Sequence, residues 1–122
     1  MNGVLVALAV GICGGVGSVA RFAIYRGIVR TDPSEFPLGT FAVNVTGAFL
    51  LGLLFGLHAF HDLTLIAGLG FLGGFTTFST WMYESERLAV DGYASGAVRN
   101  VAFSTAAGFV AVTLGVLLGR AL

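Results

Sequence analysis

The sequence predicts an all-α membrane protein of four transmembrane helices, and three observations carry that reading. Of 122 residues, 57% are hydrophobic and only 10% are charged; a soluble domain has charged residues at about a quarter of its positions. Four apolar segments each reach the ~20 residues that cross a bilayer as a helix. Polar stretches rich in charge, proline or histidine separate them.

The first span is residues 3–25, interrupted only by Arg21 near its end. No basic residue precedes it, and its apolar run outlasts a signal-peptide core, so it reads as a retained span. Arg26, Arg30, Asp32, Pro33, Glu35 and Pro37 then form a proline-punctuated loop. The second span is residues 38–60, closed by a tight connection at His58, His61 and Asp62. The i, i+3 spacing of the two histidines allows a metal site, and a polar interfacial loop explains it more simply. The third span is residues 63–83. A polar connection with Glu84, Glu86, Arg87, Asp91 and Gly92 leads to the fourth span, residues 97–118. The whole chain, 1–122, is one four-helix domain.

The chain has no lysine and zero net charge, so nothing points to a nucleic-acid partner. Cys13 is the only cysteine and forms no intrachain disulfide; it reads as a small buried apolar residue. Glycines four apart at Gly11/Gly15, Gly52/Gly56, Gly70/Gly74 and Gly115/Gly119 predict close helix packing in lipid. Four short helices do not comfortably enclose a solute pathway, so geometry favours an oligomer.

Polar groups inside spans are costly and invite a functional reading. The mid-span inventory is Thr40, Asn44 and Thr46 in the second span, Thr76, Thr77, Ser79 and Thr80 in the third, and Ser104, Thr105 and Thr113 in the fourth. No Asp, Glu, Lys or His lies centrally in any span. A proton-coupled cation carrier generally exchanges its proton at a membrane carboxylate, and none is available. Hydroxyl and amide donors suit an anion instead, with Arg21 adding a favourable field. Hydroxyls that only bond back to helix carbonyls are the plainer alternative for any single Ser or Thr.

Residues 70–81, GFLGGFTTFSTW, are the most unusual stretch. Glycine in a helix interior costs about 1 kcal/mol per residue, and three occur within five positions. A break at membrane depth frees carbonyls for a hard cation and amides for an anion. Phe71, Phe75 and Phe78 share one face if the helix is continuous. Their positive ring edges favour an anion, although a packing or lipid-facing stripe has the same spacing.

Three motifs resemble the Fluc (CrcB) family of fluoride channels: residues 14–22 (GGVGSVARF), residues 36–47 (FPLGTFAVNVTG) and residues 70–81. The resemblance implies an antiparallel, dual-topology homodimer in the cytoplasmic (inner) membrane, with two fluoride pores. It implies a structural sodium ion at the dimer centre, held by the backbone carbonyls of Gly73 and Thr76. It implies a fluoride pathway of Asn44, Phe78, Ser79, Thr80, Trp81, Ser104 and Thr40, with Arg21 and Glu84 near the pore entrances. Trp81 departs from the usual phenylalanine and brings an N–H donor. Asn100 stands where some members have tyrosine.

Arg26, Arg30, Arg87 and Arg99 fall on one side of the four spans and Arg120 on the other. Positive-inside reasoning then favours one orientation, with both termini outside. Dual topology comes from the resemblance alone. The expected function is passive fluoride export. The alternatives are a small multidrug or cation exporter, which ordinarily needs a first-span glutamate that is absent here, and a non-transporting scaffold subunit. An enzyme is not expected, because the sequence offers no nucleophile–base pair.

Overall fold

The computed structural model describes residues 2–28 and 32–122; Arg30, counted in the orientation argument, lies outside them. Helix α1 (Gly3–Gly27) starts at Asn2, whose side chain accepts the Val4 N–H at 3.0 Å. Helix α2 is Leu38–Gly56. A short α3 (His61–Leu63) runs directly into a π-helical stretch, Thr64–Leu72, and then one α-turn, α4 (Gly73–Phe75). After a non-helical link come α5 (Ser79–Val90) and α6 (Ala94–Ala121). No strand occurs among the described residues. Four helical segments are long and apolar enough to cross a membrane: Gly3–Gly27, Leu38–Gly56, His61–Val90 and Ala94–Ala121. The third combines α3 through α5 and contains the break. The chain is a multi-pass membrane protein.

The spans match the sequence reading in number and order, but their ends differ. Helix α2 stops at Gly56, not near residue 60. His58 adopts a left-handed conformation (φ 51°), and the His58 and Ala59 amides close back on the Phe55 and Leu54 carbonyls at 3.2 and 3.3 Å. This backbone closure ends the helix whatever the hydropathy. The third span continues past residue 83 to Val90. Gly92 (φ 91°) ends it in the same way, with the Tyr93 amide on the Leu88 carbonyl at 2.8 Å. The first span runs to Gly27, and the fourth covers 94–121 rather than 97–118. Arg26 lies in the last turn of α1 and Arg99 inside α6.

Two glycine seams assemble the helices. In the seam between α2 and α6, Gly52 lies against the Val112 backbone and Gly115 against the Phe49 carbonyl, while Gly56 and Gly119 meet one turn further on. In the other, α1 lies on the third span: Gly17 abuts the Phe71 carbonyl, Gly74 abuts the Gly14 carbonyl, and Gly70 faces Val10. The expected pair Gly11/Gly15 takes no part, since a Cβ at either would meet nothing within 4 Å. Gly14 and Gly17, one register over, make the approach. Large apolar side chains point outward along α1 and α6, among them Leu8, Ile12, Val16, Phe109 and Leu117. Lipid is the solvent that such an exterior fits.

Candidate functional site

The site forms where the third span breaks. Thr76 leaves the helix in an extended conformation (φ −83°, ψ 161°), and α5 restarts at Ser79. Asn44, on α2, closes the gap: its Nδ2 donates to the Thr77 carbonyl and its Oδ1 accepts the Thr77 N–H, both at 2.8 Å. One primary amide thus replaces two lost helix bonds, which explains how irregular backbone persists at this depth. Thr77 Oγ1 accepts the Thr80 N–H at 3.2 Å and donates to Thr80 Oγ1 at 3.1 Å, with Ser79 Oγ 3.4 Å away. Thr77 therefore caps α5, a role its place in the sequence did not single out.

These diversions have a consequence for the carbonyls. In an unbroken helix the Thr77 N–H would reach Gly73 and the Thr80 N–H would reach Thr76. Both amides are committed elsewhere. Helix α1 reaches in beside them: Arg21 Nη1 donates to the Thr76 carbonyl at 3.2 Å, and Ser18 Oγ to the neighbouring Gly74 carbonyl at 3.3 Å. Arg21 therefore reaches into the break. Glu84 is only 6% exposed and accepts the Tyr25 hydroxyl through Oε1, while its Oε2 has no partner.

Two grooves of about 370 Å³ each meet here. The first is lined by Asn44, Gly73, Thr76, Thr77, Phe78 and Trp81, together with apolar neighbours from α2 and the π-helical stretch. The second is bounded by Asn44, Trp81, Ser104 and Thr105 over an apolar floor. Asn44 and Trp81 belong to both. Thr40 lines neither groove: it is almost fully buried, and its hydroxyl has no partner.

The break also sorts the aromatics. Phe71 and Phe75 stack at 5.8 Å with planes 12° apart, whereas Phe78, 70% exposed, turns away and meets Trp81 edge to face at 5.8 Å and 81°. The three phenylalanines therefore do not share one face. The Trp81 indole N–H donates to the Asn100 carbonyl at 3.4 Å, and Asn100 is fully buried. Trp81 and Asn100 thus touch. At the other connection, His58 and His61 border a groove with Thr64. Among the described residues, no group of three or more His, Cys, Asp or Glu is arranged to hold a metal.

Residues 8–116 match the family model described as CrcB-like protein, Camphor Resistance (CrcB). The chain is 46% identical over 108 residues to "Fluoride-specific ion channel FluC 2" of Mycobacterium tuberculosis (strain ATCC 25618 / H37Rv), covering 88% of this chain and 86% of that one. It is 42% identical over 120 residues to "Fluoride-specific ion channel FluC" of Geobacter sulfurreducens, covering 94% and 97%. It is 53% identical over 90 residues to "Fluoride-specific ion channel FluC 1" of Leifsonia xyli subsp. xyli, covering 70% and 65%. A family match over most of the chain, two relatives each aligned over more than four fifths of both chains, and four spans with a break in the third make this chain a member of the CrcB-like family.

Proposed function

We propose that the chain is a fluoride channel giving passive export across the cytoplasmic membrane. The observation that carries this reading is the Asn44-pinned break opening onto two grooves edged by amide, hydroxyl and aromatic groups, in a chain whose relatives are named fluoride-specific ion channels. Asn44 uses one of its two amide hydrogens on Thr77, and the other is available to an anion. Phe78 offers a ring edge beside it. Fluoride would pass Asn44, Phe78 and the hydroxyls of Ser79, Thr80 and Ser104, with Trp81 between the two grooves. Thr40 and Glu84 would act from within the helix packing and Arg21 through the break.

Both grooves are open along one side of a single protomer, and a second copy of the chain would close them. We take that copy to be antiparallel, as the family resemblance implies. A structural sodium ion would then be held by the Gly73 and Thr76 carbonyls. The donor set fits: both are hard oxygen ligands whose helix amides are diverted. The Thr76 carbonyl keeps one lone pair beside the bond from Arg21. The ion would add positive charge where the two breaks face each other.

Liposomes reconstituted with the pure protein test the function. Fluoride should leave far faster than chloride; equal chloride flux, or no fluoride flux, removes the assignment.

A further inference from the structure

A chain of hydrogen bonds runs from the second groove into the packing between α5 and α6, and the Ser85 hydroxyl sets its direction. The Ser85 hydroxyl donates its single proton to the Trp81 carbonyl at 2.9 Å. Towards Asn100 it can only accept, so the Asn100 Nδ2 faces it, at 2.9 Å. The amide's other end, Oδ1, is thereby turned to Ser104, whose hydroxyl donates to it at 3.2 Å. Asn100 is 0% exposed, so no water competes for its amide. While Ser85 gives its proton to the Trp81 carbonyl, a turned-over amide would set Oδ1 against Ser85 lone pairs with no proton between them.

Ser104 has also lost its ordinary alternative. Thr105 and Thr113, on the same helix, bond back to the carbonyls four residues earlier, Val101 and Phe109, at 2.7 and 2.8 Å. The corresponding carbonyl for Ser104 is that of Asn100. It receives the helix amide on one lone pair and the Trp81 indole N–H on the other. The Ser104 proton is left with Asn100 Oδ1, and its hydroxyl turns lone pairs towards the groove it lines.

We propose that Asn100 is a positioning residue for anion passage: by holding the Ser104 proton it sets whether Ser104 meets an anion as a donor or as an acceptor. This rests on the fluoride reading above. Asn100→Leu removes the acceptor at nearly constant shape. The fluoride concentration giving half-maximal efflux from liposomes should fall about tenfold, the scale of one added hydrogen bond to a charged group. In the Ser104→Ala background the same substitution should change it by less than about twofold, because no proton is left to release. Equal changes in both backgrounds, as lost packing alone would give, overturn the assignment, and so does no change in either. Trp81 is the only tryptophan, and its emission should be the same in Asn100→Leu as in the native protein. A shifted emission would mean that Asn100 acts through the ring, which also overturns the Ser104 assignment. If Asn100→Leu does not fold, Asn100→Asp keeps the shape and grips the proton harder. The half-maximal concentration should then rise more with Ser104 present than in the Ser104→Ala background, and equal rises overturn the assignment. Native protein that conducts no fluoride removes the channel reading itself; native protein that conducts, with equal shifts in both backgrounds, removes only the role of Asn100.

Discussion

The packing between α2 and α6 and the break in the third span are both held by close backbone approach, yet they solve opposite problems. Between α2 and α6 the helices run unbroken, and glycines let them touch: Gly52 on Val112, Gly115 on Phe49. In lipid such contact gains packing energy without exposing a polar group. At the break the helix bonds themselves are given up, and side chains from two other spans replace them. Asn44 serves Thr77, Arg21 serves Thr76 and Ser18 serves Gly74. The first region is tolerant in chemistry and intolerant in volume. The second should be the reverse, and that asymmetry can be tested from both sides.

The largest effect is expected where volume decides. A Cβ at Gly52 or Gly115 would run into main chain, which no rotamer change relieves. Gly52→Val and Gly115→Val should each cost about 3 kcal/mol or more, at or above the upper end for overpacking, and should abolish the folded fraction seen by gel filtration in detergent. A folded, thermally stable Gly115→Val protein would show that α2 and α6 separate more easily than their contact implies.

The next effect tests chemistry at nearly constant volume. Asn44→Leu leaves the Thr77 N–H and carbonyl without partners, a loss of about 2 kcal/mol or more for buried groups, and the thermal midpoint should drop. Asn44→Asp keeps the acceptor for the Thr77 N–H but removes the donor and adds negative charge. It should still fold while fluoride efflux falls by at least about tenfold, the factor that ~1.4 kcal/mol supplies. Phe78→Ile, which removes an exposed ring edge and no hydrogen bond, should likewise impair efflux and leave assembly intact. Efflux at the native rate from either variant would take the break out of the pathway. A smaller effect is expected at Arg21, where one charged donor meets one carbonyl. Arg21→Gln should lower stability by about 1.5 kcal/mol, the low end for a hydrogen bond to a charged group, as read from the thermal midpoint.

The same contrast explains what was legible in the sequence. Span number and order follow from hydropathy, because lipid selects apolar length and little else. Helix ends do not follow, because His58 and Gly92 terminate helices through backbone closures that hydropathy does not register. The glycine pair marked the neighbourhood of the break but not its position: Gly73 and Gly74 stay helical, Gly74 packs on Gly14, and the chain leaves the helix at Thr76. The residues that repair it were not readable, because Asn44 and Thr77 are 33 positions apart and Arg21 and Thr76 are 55 apart. A polar residue in a span announces that it needs a partner without saying which one. The π-helical turn from Thr64 to Leu72 left no mark in the sequence that we can identify. Residues 11–17 offered two overlapping glycine registers, Gly11/Gly15 and Gly14/Gly17, and only packing against Phe71 and Gly74 chooses between them.

That last ambiguity yields the smallest expected effect and the sharpest control. Gly11→Ala and Gly15→Ala add a methyl group to the same helix that Gly17 anchors, but on a face where nothing lies within 4 Å. Each should leave protomer stability unchanged or raise it by up to about 1 kcal/mol, the helix preference of alanine over glycine. Gly17→Ala, three residues from Gly14 on the packed side, meets the Phe71 carbonyl and should be strongly destabilising. Measured side by side as thermal midpoints in detergent, the three variants separate a glycine required by contact from one that only shares its spacing. If Gly11→Ala or Gly15→Ala instead dissociated an oligomer while the protomer stayed folded, the open face of α1 would be the one that a second copy covers.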